Sequence, residues 1–173
     1  MSDVRTRAAA TRRSPGTTRP ASPLHVPLWV PIASLTLAVV GLGVSIYMTY
    51  EHFTQNKSLA CSANGVINCA AVTTSPESMI FGVIPVAILG LVFFVGIIPI
   101  LLPIAWRSPS KLIRRARLVG SGVGVGFVIY LIYAELFQID KICEWCTGVH
   151  VITIALFGVI IFGTAAIGPA DED

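Results

Sequence analysis

The chain has 173 residues, is 54% hydrophobic and only 12% charged, and carries a formal net charge of +3. Soluble domains carry about 25% charged residues, so this chain lacks the polar surface to coat a water-soluble globule, and lipid is the solvent that suits it. The positive excess sits in an N-terminal arm and one loop, so composition gives no reason to expect a nucleic-acid partner.

Residues 1–27 are rich in Arg, Pro, Ser and Thr. Such a stretch cannot bury a core and is predicted to be a disordered basic arm, cytoplasmic and able to touch anionic lipid heads. The apolar run behind it is too long for the core of a signal peptide, so no cleavage is expected. Four apolar runs follow: Leu28–Tyr50, Met79–Ala105, Leu118–Ile139 and Trp145–Ile167. Each is about 22–27 residues long, where roughly 20 cross a bilayer as a helix. None shows the alternation of a barrel strand. The predicted fold class is an all-α integral membrane protein. Residues 28–168 form a four-transmembrane-helix bundle with extracytoplasmic cysteine loops, and residues 169–173 are a short acidic cytoplasmic tail.

Within the second run, Pro85, Pro99 and Pro103 are expected to bend or end the helix. The third contains "GSGVGVG", residues 120–126, with no strand before it. Its Gly120/Gly124 and Gly122/Gly126 pairs predict close helix packing rather than a dinucleotide loop.

Lysines and arginines sort by loop. Arg5, Arg7, Arg12, Arg13 and Arg19 lie in the arm; Arg107, Lys111, Arg114, Arg115 and Arg117 lie between runs two and three. The other two connections hold only Lys57 and Lys141. The positive-inside rule then places both chain ends in the cytoplasm and all four cysteines outside it. Cys61 and Cys69 occupy the first outer loop, Cys143 and Cys146 the second. In an oxidising compartment an even cysteine count points to disulfides.

Three uses compete. Zinc fits poorly, because only the Cys143/Cys146 spacing suits a metal pair. A structural staple is the stronger rival. Closing the Cys143–Cys146 loop stabilises by only about 2 kcal/mol and the Cys61–Cys69 loop by about 2.5, whereas a bridge between the loops, such as Cys69–Cys143, reaches over about 4. The third use is redox exchange. Cys-x-x-Cys at the start of the fourth helix puts both sulfurs on one face, where free N–H groups and the helix dipole favour a thiolate.

These residues resemble the vitamin K epoxide reductase family, in particular its bacterial disulfide-forming members. The match rests on "CSANGVINC" with Cys61 and Cys69, "NCAAVTTSP" with Ser75, "IFG" at residues 80–82, "CEWCTGVH" ending at His150, and "SIYMTYEHF" closing the first run. It covers roughly residues 30–165. Many members read Phe-Gly-x-Pro where this chain has one more residue, Phe81-Gly82-Val83-Ile84-Pro85. Many also continue into a thioredoxin-like domain, so the resemblance implies a DsbA-like or thioredoxin-like partner in trans.

The resemblance assigns catalysis to Cys61, Cys69, Cys143 and Cys146, and a quinone pocket to Ser75, Phe81 and His150. It implies a route for electrons: partner to Cys61, Cys69 to Cys143 through an interloop disulfide, and Cys146 to a quinone, menaquinone or ubiquinone. The implied function is a quinone-dependent thiol oxidase of the cell membrane, with no metal. The alternatives are a thiol-driven quinone or vitamin K epoxide reductase, and a non-catalytic scaffold with two loop staples. Ser75 also suits a cap before Pro76. His150 is an ionisable residue one turn inside the bundle and a functional suspect on that ground. Trp145 reads as an interfacial anchor; Glu135 has two readings, a group that takes up protons and a side chain that snorkels to the interface, of which the second is preferred.

Overall fold

The computed structural model describes residues 26–55, 58–62 and 64–166. Nearly all of the predicted arm, Lys57 and the acidic tail lie outside the described residues. Helix α1 spans Trp29–Phe53. A short helix α2, Cys69–Thr73, and a 3-10 turn, Pro76–Ser78, follow. Met79–Ile80 pairs antiparallel with Ile84–Pro85. Helices α3, Val86–Leu101, and α4, Pro103–Trp106, lead to α5, Lys111–Ala134, which continues as a π-helical turn over Glu135–Ile139. Helix α6 is Glu144–Ala166.

The four long helices close into a bundle: α1 packs on α3 and α6, and α5 packs on α6 and α3. Residues 29–53, 111–139 and 144–166 are long and apolar enough to cross a membrane. Helix α3 is apolar throughout but has only 16 residues, roughly 24 Å at 1.5 Å per residue. Large apolar side chains such as Val92, Ile129 and Phe162 point outward, as expected when lipid replaces water at the surface. The protein is a multi-pass membrane protein.

Two predicted boundaries move, for local reasons. Helix α3 begins at Val86, seven residues after the predicted Met79. Residues 79–85 turn back as a hairpin because Phe81 and Gly82 take positive φ, 54° and 68°. Gly82 makes that turn inexpensive, and Pro85 suits the position just before a helix. Helix α5 begins at Lys111, seven residues before the predicted Leu118, so its basic stretch is helical.

The end of the bundle away from the cysteines is plugged. Arg117, which the sequence reading counts among loop cations, is only 2% exposed. Its Nε donates to the Ile100 carbonyl at 3.2 Å and an Nη to the Ala105 carbonyl at 3.1 Å. Its guanidinium lies 3.6 Å from the centre of the Trp106 ring. The cause is the break between α3 and α4: Leu102 is extended and Pro103 has no N–H, so nearby carbonyls need another donor. Trp106 in turn faces Gly163, where a Cβ would collide with Val30 and the indole. Phe94, Leu101, Leu156 and Ile160 fill the core next to this plug. Of the two predicted glycine faces, Gly124 makes the close approach, against Phe93, while nothing lies within 4 Å of a Cβ at Gly120 or Gly126.

Candidate active site

All four cysteines meet at one end of the bundle. Cys61 and Cys69 form a disulfide, and Cys143 and Cys146 are free thiols. Cys69 and Cys143 are buried together with Met48 and Val72, and Cys61 and Cys146 pack against that cluster.

Cys69 is fixed by local chemistry. It opens α2, whose cap is Asn68: the side-chain oxygen accepts the Ala71 N–H at 3.0 Å. The Cys69 N–H, one of the unpaired donors of the helix start, points at the Cys61 sulfur at 3.3 Å. Cys61 is held differently, by side chains of the long helices. The Glu51 carboxylate, 1% exposed, accepts the Ser58 hydroxyl at 2.6 Å and its N–H at 3.3 Å. The Tyr47 hydroxyl accepts the Ala60 N–H at 3.0 Å. The Trp145 indole donates to the Ala60 carbonyl at 2.6 Å. Trp145 is therefore tied to the first loop.

The second pair is delivered by the π turn. Asp140 closes it with φ 54°, and the Lys141 N–H donates to the Glu135 carbonyl at 3.2 Å. The chain then runs beside the first loop as a single parallel rung, Ile67 with Ile142. Asn68 donates to the Ile142 carbonyl at 3.0 Å and Ile142 to the Val66 carbonyl at 3.1 Å. The two residues that immediately precede Cys69 and Cys143 are thus bonded to each other.

Cys143 stands where an N-cap residue stands. Its sulfur accepts the Cys146 N–H at 3.3 Å, the bond a serine or aspartate oxygen makes at other helix starts. The hydrogen bond from the Cys146 side chain lowers the Cys143 pKa below the usual thiol value, and this outweighs the opposing effect of burial. The helix start that the sequence reading gave to both cysteines thus acts on Cys143 through a direct bond.

Below the cysteines lies a cavity of about 610 Å³, walled mainly by apolar side chains of α1, α3, α5 and α6. Cys146 and His150 line it one helical turn apart, and Glu135 lines it from the π turn. Glu135 is not at the interface: it is 6% exposed, with its carboxyl in hydrogen-bonding reach of the Cys143 backbone and the Cys146 thiol. It lies seven residues beyond Val128 and fourteen beyond Ser121, on the buried face of α5, and the π turn begins at it. Ser75 lies outside the cavity lining. Its hydroxyl donates to the Val72 carbonyl at 2.9 Å and accepts the Ser78 N–H at 3.2 Å, capping the 3-10 turn. Phe81 is 94% exposed at the hairpin tip and also lies outside the lining.

A membrane bundle with two adjoining cysteine pairs, one oxidised and one reduced beside an apolar cavity, defines a membrane thiol–disulfide oxidoreductase. Residues 32–161 match the sequence profile of the Vitamin K epoxide reductase family, and the chain belongs to that family. Among curated proteins none matches this chain. The family acts with quinones, and the cavity fits one: its size is in the range of small-molecule sites, about 300–1,000 Å³. Its walls suit a quinone ring with an isoprenoid tail, and its few polar groups include Cys146, Glu135 and His150.

Proposed function

We propose that the chain is a quinone-dependent thiol oxidase that returns a reduced DsbA-like or thioredoxin-like protein to its disulfide form. The observation that carries this reading is the position of Cys146, which lines the apolar cavity while Cys143 beside it is buried with Cys69. A staple would gain nothing from such a path between a loop disulfide and a cavity.

The steps follow from the residues. A partner thiolate attacks Cys61, the more accessible sulfur of its pair, and the partner's second thiol completes reduction of Cys61–Cys69. With the inner pair oxidised, the Cys69 thiolate attacks Cys143, so that Cys69–Cys143 forms, Cys143–Cys146 breaks and Cys146 leaves as a thiolate. Cys61 then attacks Cys69, restoring Cys61–Cys69 and releasing Cys143, whose depressed pKa suits a thiolate. A quinone in the cavity supplies an acceptor for two electrons and two protons. Closing Cys143 and Cys146 into a disulfide releases two protons and two electrons. The Glu135 carboxyl, in reach of the Cys146 thiol, accepts and passes on one of those protons, and His150 bounds the pocket from inside the bundle. The charge distribution supports an orientation with the cysteine end outside the cytoplasm. On this reading α3 and α4 together make the fourth crossing.

The test is reconstitution. Purified protein in lipid should oxidise a reduced thioredoxin-fold protein when menaquinone or ubiquinone is added and not without it. Oxidation at an equal rate without quinone would defeat the proposal. Membrane-impermeant thiol reagent, applied to intact cells after external reduction, checks the orientation; labelling only after the membrane is broken would reverse it.

A further inference from the structure

The hydrogen bonds around Cys61 and Cys69 divide into two sets with different anchors. Cys69 is placed by backbone: the α2 start and the rung between Asn68 and Ile142. Cys61 follows Ala60, whose peptide is gripped from both sides. Tyr47 of α1 accepts its N–H at 3.0 Å, and Trp145 of α6 donates to its carbonyl at 2.6 Å. The two rings pack on each other with centroids 4.9 Å apart. The Tyr47 hydroxyl donates onward to the Ser58 carbonyl at 3.4 Å, and Glu51 holds Ser58. Trp145 itself stands between Cys143 and Cys146, so the grip ties the segment before Cys61 to the helix start that carries the other thiols.

We propose that Tyr47 and Trp145 are positioning residues that clasp the Ala60 peptide and thereby set whether Cys69 pairs with Cys61 or with Cys143. The inference deepens the proposed relay and rests on Cys69–Cys143 exchange being part of it. The same interloop bond is reached from the resting pairing, in the reverse direction, when the Cys143 thiolate attacks the Cys69 sulfur. The Cys69–Cys143 bond forms, the Cys61–Cys69 bond breaks, and Cys61 departs as a thiolate with the electron pair. No net oxidation occurs. The position of this equilibrium depends on where the departing sulfur is kept. With the clasp closed, Cys61 stays beside Cys69 and the original bond re-forms. With the clasp open, Cys61 moves away while the backbone rung still holds Cys69 near Cys143, and the interloop bond accumulates. The clasp thus keeps the loop pair closed at rest, and its release lets the interloop bond form.

The test needs neither quinone nor partner. In a Cys146→Ser background three cysteines remain, so a singly oxidised molecule must choose among disulfide isomers. After equilibration, acid quench and peptide mapping, the ratio of Cys69–Cys143 to Cys61–Cys69 is read directly. Trp145→Phe keeps an aromatic ring but loses the N–H, and Tyr47→Phe keeps its ring but loses the hydroxyl. Each should raise the ratio about fivefold, the size of one neutral hydrogen bond. Thermal unfolding of each variant shows whether the fold is kept, and two separate variants leave the inference testable if one fails to fold. An unchanged or lower ratio in a folded variant overturns the clasp. So does a majority of Cys61–Cys143, because the grip would then set loop register and not partner choice. A shifted ratio in a protein that ignores quinone would instead leave the clasp standing and remove the thiol oxidase reading.

Discussion

At the Arg117 end the bundle is closed by a buried cation, an indole and a glycine in mutual contact, with apolar side chains packed next to them. At the cysteine end the same four helices spread around a cavity, and short irregular segments cover it: α2, the 3-10 turn, the hairpin and the π turn. The closed end satisfies a broken helix with one charged side chain. The open end sets thiols, a carboxyl and an imidazole around an apolar cavity. On the proposed function one end holds the fold and the other the chemistry, and substitutions should separate the two.

The largest effect expected is at the open end. Cys143→Ser should reduce partner oxidation to background while leaving thermal stability near that of the native chain. Cys146→Ser should also stop turnover but accumulate a Cys69–Cys143 bridge, seen as a linked peptide pair in non-reducing maps. Cys61→Ser should block the partner half-reaction and leave Cys143 and Cys146 able to reduce quinone. Full turnover in any of these would return the molecule to a stapled scaffold.

Arg117→Ala tests the closed end. It leaves the Ile100 and Ala105 carbonyls without their charged donor and should cost about 3 kcal/mol of stability, read by unfolding in detergent. Turnover per folded molecule should be unchanged. A variant of native stability, or one folded but inactive, would blur the division between the ends.

Glu135→Gln sits at the boundary between the two roles, since it keeps size and hydrogen bonding but not the ability to take a proton. The quinone half-reaction should slow by about a hundredfold, the lower range for a positioned acid–base group. Rapid mixing should find exchange at Cys61 near normal. Equal slowing of both half-reactions would make Glu135 a structural residue. Ser75→Ala should have the smallest effect, about 1 kcal/mol of local stability from the lost cap, with His150→Ala slowing quinone reduction more than it does. A larger loss in the quinone step for Ser75→Ala would show that its hydroxyl leaves the cap to meet the ring.

Much of this was legible in the sequence because its signals are local or compositional. Apolar runs of membrane length located α1, α5 and α6 to within a few residues at most of their ends. The cysteine spacings located both pairs, and the four-residue step from Cys146 to His150 put both on one face of α6. What escaped depends on backbone geometry or on distant partners. Residues 79–85 are as apolar as the helix behind them, so hydropathy could not mark the turn at Phe81 and Gly82. Glu135 shares the buried face of α5 with Ser121 and Val128, but a carboxyl near the outer end of an apolar run reads first as one that snorkels to the interface. Arg117 adds to the loop charge in any count of cations, yet its acceptors lie 17 and 12 residues back, at Ile100 and Ala105. Trp145 finds its acceptor 85 residues away, at Ala60. The extra residue between Gly82 and Pro85 was visible, and the hairpin is where it is accommodated.

A helix cap is ordinarily a permanent fixture, but the cap of α6 is a sulfur that the proposed chemistry repeatedly consumes and restores. Each time Cys143 enters a disulfide its sulfur gives up anionic character and holds the Cys146 amide less firmly. The first turn of the helix should loosen and tighten in step with turnover. Deuterium uptake at that one amide would then serve as a clock for the redox cycle, readable without following either substrate.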